Sequence, residues 1–240
     1  MTKQKMKVEI WSDVTCHFCY TAKRKFEGAL SRFSNKDHIE VVWKSFELAP
    51  QLVTDPNKTL PQFLAGLMSI PIENATQMAD EVTTAALDAD LVFNLRKAIP
   101  ANSFNAHRLS HFAKANQLQD KAEETLFKAY FTDGKNIDDI SVLMELGTEI
   151  GLDSTLLKTV LEGTDYADEV RKDTQEATQL GITSVPHFVF DTKTNVKGAQ
   201  DSNAFLTTLE NTFAAWQKEQ STPSAEMIDG QACEIGKGCN

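Results

Sequence analysis

The sequence predicts an α/β protein: a small strand-and-helix domain split in two by a large all-helical insertion. Three observations predict it. Strand-like alternation is confined to the two ends of the chain, and amphipathic helical patterns fill the stretch between. A Cys-x-x-Cys pair sits where the first strand gives way to the first helix.

The first strand is "MKVEIW", residues 6–11, which alternates about Val8 and Ile10 and ends on Trp11. After the cysteines, Phe18, Ala22, Phe26, Leu30 and Phe33 recur at helical spacing. Lys23, Arg24, Lys25 and Arg32 fall mostly on the other side, so the run Lys23-Arg24-Lys25 is expected on a solvated helix face. Asn35 and Asp37 mark the helix stop. "IEVVWKSFEL", residues 39–48, is a second strand rich in β-branched and aromatic residues, ended by Ala49-Pro50. Strand, helix and strand in this order predict a parallel unit with a right-handed crossover.

From about residue 59 to 181 the pattern is helical. Pro61 and Pro71 stand at helix starts, and apolar stripes run near 74–89, 105–117, 120–131, 139–150, 154–162 and 166–180. Asp138 and Asp153 are the expected N-caps, and Gly134, Gly151 and Gly181 fall near helix ends. Strand character returns at "VPHFVFD", residues 185–191, and a turn at "DTKTN" leads to the short strand "VKGA". A last helix follows, with Phe205, Leu209, Phe213 and Trp216 on one face. Without the helical block the elements read βαβ and then ββα, the thioredoxin arrangement. The expected division is a discontinuous thioredoxin-like domain (1–50 and 182–220), a helical insertion (51–181) and a Cys-bearing tail (221–240).

Composition narrows the function classes. The formal net charge of −10, without a basic patch, argues against a nucleic-acid partner. No stretch approaches the ~20 apolar residues of a membrane helix. The N-terminal "MTKQKMKVEIW" lacks the apolar core of a secretory signal, so the expected location is the cytoplasm and no membrane partner is expected. In a reducing compartment, cysteine pairs serve catalysis or metal binding more often than structure.

Cys16 and Cys19, in "SDVTCHFCYTAKRKF", are therefore the candidate catalytic residues. A sulfur at the start of a helix faces unpaired backbone N–H groups and the positive end of the helix dipole, both of which favour the thiolate. Cys19, one turn on and more buried, can close the disulfide. Cys16 is assigned as nucleophile and Cys19 as resolving thiol. Between them His17 and Phe18 are supporting residues, since a protonated His17 near the sulfur would lower its pKa further. Two other readings stay open. Zinc uses the same spacing, with Cys233 and Cys239 as further ligands, although their five-residue gap departs from the usual two to four. Inert buried thiols are the other. Val185 and Pro186 join the candidate site, because a proline opening a strand belongs at an edge or special turn, and in thioredoxin-like folds that position is a cis-proline loop facing the disulfide; an ordinary trans proline at a strand start is the other reading.

The segments "EIWSDVTCHFCYTAKRKFE", "FELAP", "FNAHRLSHFA", "GITSVPHFVFD" and "KGAQDSNAF" resemble the DsbA-like thioredoxin family, over about residues 6–215. The nearest branch is the FrnE-like group, related to 2-hydroxychromene-2-carboxylate isomerases. The resemblance implies a thioredoxin fold with a long helical insertion, and thiol–disulfide oxidoreductase activity on protein substrates. It places the redox pair at Cys16 and Cys19 and the cis-proline loop at Val185-Pro186. Two departures stand out. The group usually has Pro-Trp where this chain has His17-Phe18, so the redox potential is not inherited. The isomerase branch commonly has serine at the position of Cys16, so keeping both cysteines favours redox chemistry.

The expected function is a thiol–disulfide oxidoreductase of protein or peptide substrates. It needs no cofactor or metal beyond its redox-active disulfide, with glutathione as an optional co-substrate and glutathione or a thioredoxin-type reductant as electron partner. The alternatives are a glutathione-dependent isomerase or transferase acting on an aromatic small molecule, and a redox-responsive peptide-binding holdase. Cys233 and Cys239, in "CEIGKGC", are a candidate second redox pair, with a local disulfide, a metal clip or a dispensable tail as the other readings. Trp11, Phe18 and Phe46 are expected in the core. Lys44 and Glu47 are expected on a solvated strand face, with a buried proton acceptor for Cys19 as the alternative. His107 and His111 are expected on a helix that packs Leu109 and Phe112 rather than at a metal.

Overall fold

The computed structural model describes residues 4–221, and the backbone of 233–234 and 238–239. Strand β1 (Met6–Ser12) lies at the centre of a four-stranded mixed sheet. On one side it pairs in parallel with β2 (Ile39–Ser45), in the register Val8↔Val41 and Ile10↔Trp43. On the other it pairs antiparallel with β3 (His187–Phe190), which forms a hairpin with β4 (Thr194–Lys197). The strand–helix–strand unit and the closing hairpin both form as the alternation predicts. Helix α1 (His17–Arg32) is the crossover between β1 and β2.

The period of two sorts the sheet residues onto two faces. Val8 and Ile10 stand opposite Phe190 and Phe188, and all four join a core against α1 and the last long helix (Ser202–Ser221). There Phe26, Phe188 and Phe205 meet with ring centroids 4.6–5.6 Å apart. The opposite face puts Trp11 and Val189 against Ala177 and Ile182 in a smaller cluster, and the Trp11 indole donates to the Asp173 carbonyl at 3.1 Å.

Seven helices lie between β2 and β3: α2 (Leu60–Met68), α3 (Ile72–Ala86), α4 (Phe104–Ala115), α5 (Gln119–Phe131), α6 (Ile140–Ile150), α7 (Ser154–Glu162) and α8 (Ala167–Gln179). The Ser202–Ser221 helix is α9. Thr59 and Gln62 form a capping box at the start of α2, with Pro61 in its first turn. Asp153 caps α7 as expected, accepting from Leu156 N at 2.9 Å. At α6 the cap is Asp139, not Asp138, because Asp138 is held by Thr54 and Asn105. Gly151 ends α6 at φ 101°, a left-handed conformation that favours glycine. A single core cluster runs from the sheet through α4–α7. Among the described residues, no helix is long and apolar enough to cross a membrane.

Two surface expectations are corrected. Lys23 is 1% exposed: its ammonium pairs with Glu27 on its own helix and with Glu124 (3.1 Å) and Asp120 (3.6 Å) on α5. The charge is buried because α5 brings it carboxylates. Lys44 is also largely buried, paired with Asp173 (3.1 Å) and Glu176 (2.7 Å) of α8.

Candidate active site

Four residues, 13–16, join β1 to α1. The Cys16 N–H donates to the Asp13 carbonyl at 3.0 Å, and the Cys16 carbonyl accepts from Cys19 N (3.0 Å) and Tyr20 N (3.3 Å). Cys16 is therefore the N-cap of α1, and no side-chain oxygen caps the first turn. Its sulfur occupies the place where a capping oxygen would lie. Cys16 is 7% exposed and Cys19 1%, and both are free thiols in this structure.

The acidities of the two thiols are pushed in opposite directions. The Cys19 thiol, with the Cys19 and Phe18 backbone N–H groups, brings Cys16 below the ordinary 9.0, against burial and the Asp13 charge. Burial, then the adjoining Cys16 sulfur, push Cys19 well above that value. One thiol is thus suited to attack and the other to stay protonated until it is needed. Burial also pushes the His17 imidazole below 6.5, which favours its neutral form, and its ring lies against Phe18 at 4.1 Å. The lowering at Cys16 comes from Cys19 and the helix N–H groups.

Across the site, the Val185–Pro186 peptide bond is cis and the Cys16 thiol faces the Val185 carbonyl at 3.8 Å. Gly198 N donates to the Pro186 carbonyl at 2.8 Å, tying this loop to the end of β4. A groove of about 680 Å³ opens beside the cysteines. His17, Phe18 and Pro186 form one wall, and Met78, Val82 and Ala85 of α3 form the other.

Phe18 is 56% exposed, contrary to the expected core position. It belongs to the apolar stripe by spacing, yet it stands in the first turn of α1, beside the groove. Trp11 is fully buried as expected, and Phe46 is half-buried against the Trp11 cluster. Glu47 is half-buried, and burial together with the Asp13 charge raises its pKa. His107 and His111 lie in the stretch of α4 that is buried on all sides, residues 106–113, together with Leu109 and Phe112. His111 Nε2 is 3.1 Å from Ser45 Oγ and 3.0 Å from Asp173 Oδ2.

Asp13 was not among the candidates read from the sequence. Its carboxylate is fully buried, accepting from Thr15 N (2.9 Å), Thr15 Oγ1 (3.0 Å) and Leu48 N (2.6 Å). It holds the loop that presents Cys16 against the chain leaving β2. The only sequence signal was an Asp two residues before Thr15, the spacing of a local Asx turn.

The side chains of Cys233 and Cys239 lie outside the described residues. Their backbones pair in a two-stranded ribbon, β5 (Cys233–Glu234) with β6 (Gly238–Cys239), with Cys233 directly opposite Cys239. Among the described residues, no group of three or more His, Cys, Asp or Glu is placed to hold a metal ion.

Comparison with known proteins agrees with this fold. The family model of the DSBA-like thioredoxin domain matches residues 7–210. An uncharacterized protein of Bacillus subtilis, YwbO, is 30% identical over 210 residues, covering 82% of this chain and 92% of its own. A solved structure described as a "probable DsbA oxidoreductase" from Streptomyces coelicolor is 33% identical, with a TM-score of 0.81 and 98% of each chain covered. The cytosolic disulfide reductase DsbM from Pseudomonas aeruginosa, solved with GSH, shares the fold at 18% identity, with a TM-score of 0.53 and 89% and 98% of the two chains covered.

Proposed function

The chain belongs to the DsbA-like thioredoxin family, and from that premise we propose that it is a thiol–disulfide oxidoreductase of protein or peptide substrates, working through Cys16 and Cys19. The observation that carries this reading is the placement of the Cys16 sulfur. It stands at the N-cap of α1, where no side-chain oxygen bonds the first turn, faces the Val185 carbonyl at 3.8 Å, and adjoins an apolar groove.

In the reducing direction, Cys16 thiolate attacks a substrate disulfide, forming a mixed disulfide and releasing one substrate thiolate. Cys19 then loses its proton and attacks the Cys16 sulfur. The Cys16–Cys19 bond forms and the second substrate thiolate leaves. Oxidation of a dithiol substrate is the same sequence in reverse. Backbone at Val185 and the apolar faces of Phe18, Met78 and Val82 would hold an extended peptide across Cys16. The chemistry needs no cofactor beyond the disulfide.

We place the protein in the cytoplasm, with glutathione or a thioredoxin-type protein as electron partner. Cys233 and Cys239 would act as a second pair that exchanges with the first. Opposed residues of an antiparallel pair have Cα atoms about 4.5–5.5 Å apart, within disulfide range. The groove, with an aromatic side chain beside the sulfur, also gives a second reading some support: a glutathione-dependent isomerase acting on an aromatic small molecule.

The test is equilibration across a glutathione redox series, alkylation of free thiols and mapping by mass spectrometry. Cys16 and Cys19 titrating together as one disulfide is the expected result. Cysteines that resist oxidation until a chelator is added would replace this reading with a metal site. Catalysis that survives Cys19→Ser and saturates with glutathione would favour the isomerase. Peptide binding without turnover would leave a redox-responsive holdase.

A further inference from the structure

We propose that Glu81 and Asp88 are specificity-determining residues that fit the groove beside Cys16 for peptides carrying Lys or Arg next to their cysteine. The proposal rests on the oxidoreductase reading and deepens it by naming the substrate class.

The pattern begins in the sequence of α3. Met78, Glu81, Val82 and Ala85 recur at helical spacing and so share one face of that helix. The single 3₁₀ turn that follows, Leu87–Ala89, carries the line on to Asp88. All five residues line the groove. Its α3 wall therefore mixes apolar side chains with carboxylates.

Both carboxylates are exposed and have no cationic partner among the described residues. Glu81 accepts from the neutral amide of Gln77 at 2.9 Å. Asp80, one residue earlier, shows the contrast. Its two oxygens accept from Arg96 at 2.8 and 2.6 Å, so its charge is matched within the protein. On the facing wall, Lys25 of α1 is the one lysine or arginine lining the groove, and no carboxylate of the described residues pairs with it. Two carboxylates against one ammonium leave the groove with a net charge of −1.

A basic side chain answers both parts of this wall. Its aliphatic stem covers apolar surface while its charged head stays in water. A Lys or Arg beside the substrate cysteine would lay that stem on Met78 and Val82 and bring its charge to Glu81 or Asp88. Phe18, 56% exposed on the α1 side, offers a cation an open ring face as well. A purely apolar residue would use the floor and leave both carboxylates unanswered. An acidic one would meet repulsion. Glutathione, with two carboxylates and one ammonium, has the sign of the groove and of the whole chain, whose net charge is −10.

Exposed ion pairs are individually weak, and two acting together give about a tenfold difference in rate between cationic and anionic peptides at low salt. In 1 M salt, where charges are screened within about 3 Å, the difference should shrink to about twofold.

The test mixes the reduced full chain with three peptide disulfides identical except for Lys, Gln or Glu beside the cysteine, and with glutathione disulfide. The second-order rate of disulfide reduction is measured for each. Dividing by the rate with a neutral small dithiol removes the intrinsic effect of the flanking charge on the sulfur. The expected order is Lys, then Gln, then Glu, with glutathione disulfide slower than the Lys peptide. Glu81→Gln combined with Asp88→Asn should bring the Lys-to-Glu ratio to about twofold or less. Glu40→Gln combined with Glu210→Gln removes the same charge from exposed positions on β2 and α9 and should leave the ratio intact. A wild-type ratio near one would overturn the proposal. So would an equal collapse in both double variants, which would assign the preference to net charge, or a fastest reaction with glutathione disulfide. If the groove variant does not fold, Lys25→Gln decides: a wider Lys-to-Glu ratio is expected, and an unchanged or narrower one refutes the proposal. No reaction with any of the four disulfides would overturn the oxidoreductase reading and the inference with it.

Discussion

Replacing Lys23 by methionine keeps most of the buried stem and removes the charge. At an effective dielectric of 20, unit charges at the 3.1 Å separation of Lys23 and Glu124 attract by about 5 kcal/mol, most of which is offset by the cost of desolvating the ammonium. Removing one partner of a buried pair costs about 3–5 kcal/mol. Here Glu27 and Glu124 are each about one-third exposed, and Arg24 pairs with both, so the carboxylates left behind are partly solvated and partly matched. The expected loss is therefore about 2 kcal/mol, a fall in urea midpoint on the order of 1 M.

The pH dependence has a definite sign. Burial would raise the Glu124 pKa, but Lys23, Arg24 and Tyr20 hold it below the ordinary 4.5. Stability from a depressed carboxylate is fully present above its unfolded pKa and lost as pH falls through the folded one. The Lys23 pKa is itself raised, its carboxylate partners outweighing burial, so its contribution persists until pH rises past 10.5. The deficit of Lys23→Met should be full from pH 6 to 9 and shrink below about pH 4. Urea titrations followed by circular dichroism at pH 7 and pH 3.5 measure both values. An unchanged midpoint at pH 7, or an equal deficit at both, would show that the ammonium does not hold α1 to α5.

The remaining expectations concern the site and its packing. Iodoacetamide at pH 7 should label Cys16 well before Cys19 in the folded, reduced protein; equal labelling would contradict their opposed ionisation. Cys19→Ala removes the first contributor to the low Cys16 pKa, so the alkylation rate of Cys16 against pH should shift to higher pH. Phe18→Ser should change stability by less than about 0.5 kcal/mol while raising KM for peptide disulfides, since the ring is exposed beside the groove. A Cβ on Gly147 would collide with Leu157 Cδ2 where α6 meets α7, and Gly147→Ala should cost about 1–3 kcal/mol in thermal or urea unfolding.

Sequence order and physical cause coincide where a pattern is local. Val8 and Ile10 alternate because one face of β1 is covered by α1 and α9, and the stripe Leu157, Val160, Leu161 marks α7 because that face is buried. The Cys-x-x-Cys pair and Val185-Pro186 were legible for the same reason, since the spacing and the proline each constrain their own backbone. What stayed hidden depends on segments far apart in the chain. Lys23 reads as a surface residue until α5 supplies Glu124, a hundred residues away. Asp13 gains its place in the site only when the chain leaving β2 brings it Leu48 N. Phe18 was misplaced for another reason. Helical period gives a direction around the axis but not whether any protein covers the helix's first turn.

The pairing of Val8 with Phe190 has a consequence for how the chain is made. The central strand cannot gain its antiparallel neighbour until the whole insertion has left the ribosome, roughly ten to forty seconds after β1 at common rates of synthesis. Throughout that interval Cys16 and Cys19 are already translated, while the Val185 carbonyl that will face them does not yet exist. A nascent chain caught in this window carries two adjoining thiols open to passing oxidants and chaperones, and a slow stretch of translation within the helical block would lengthen that exposure.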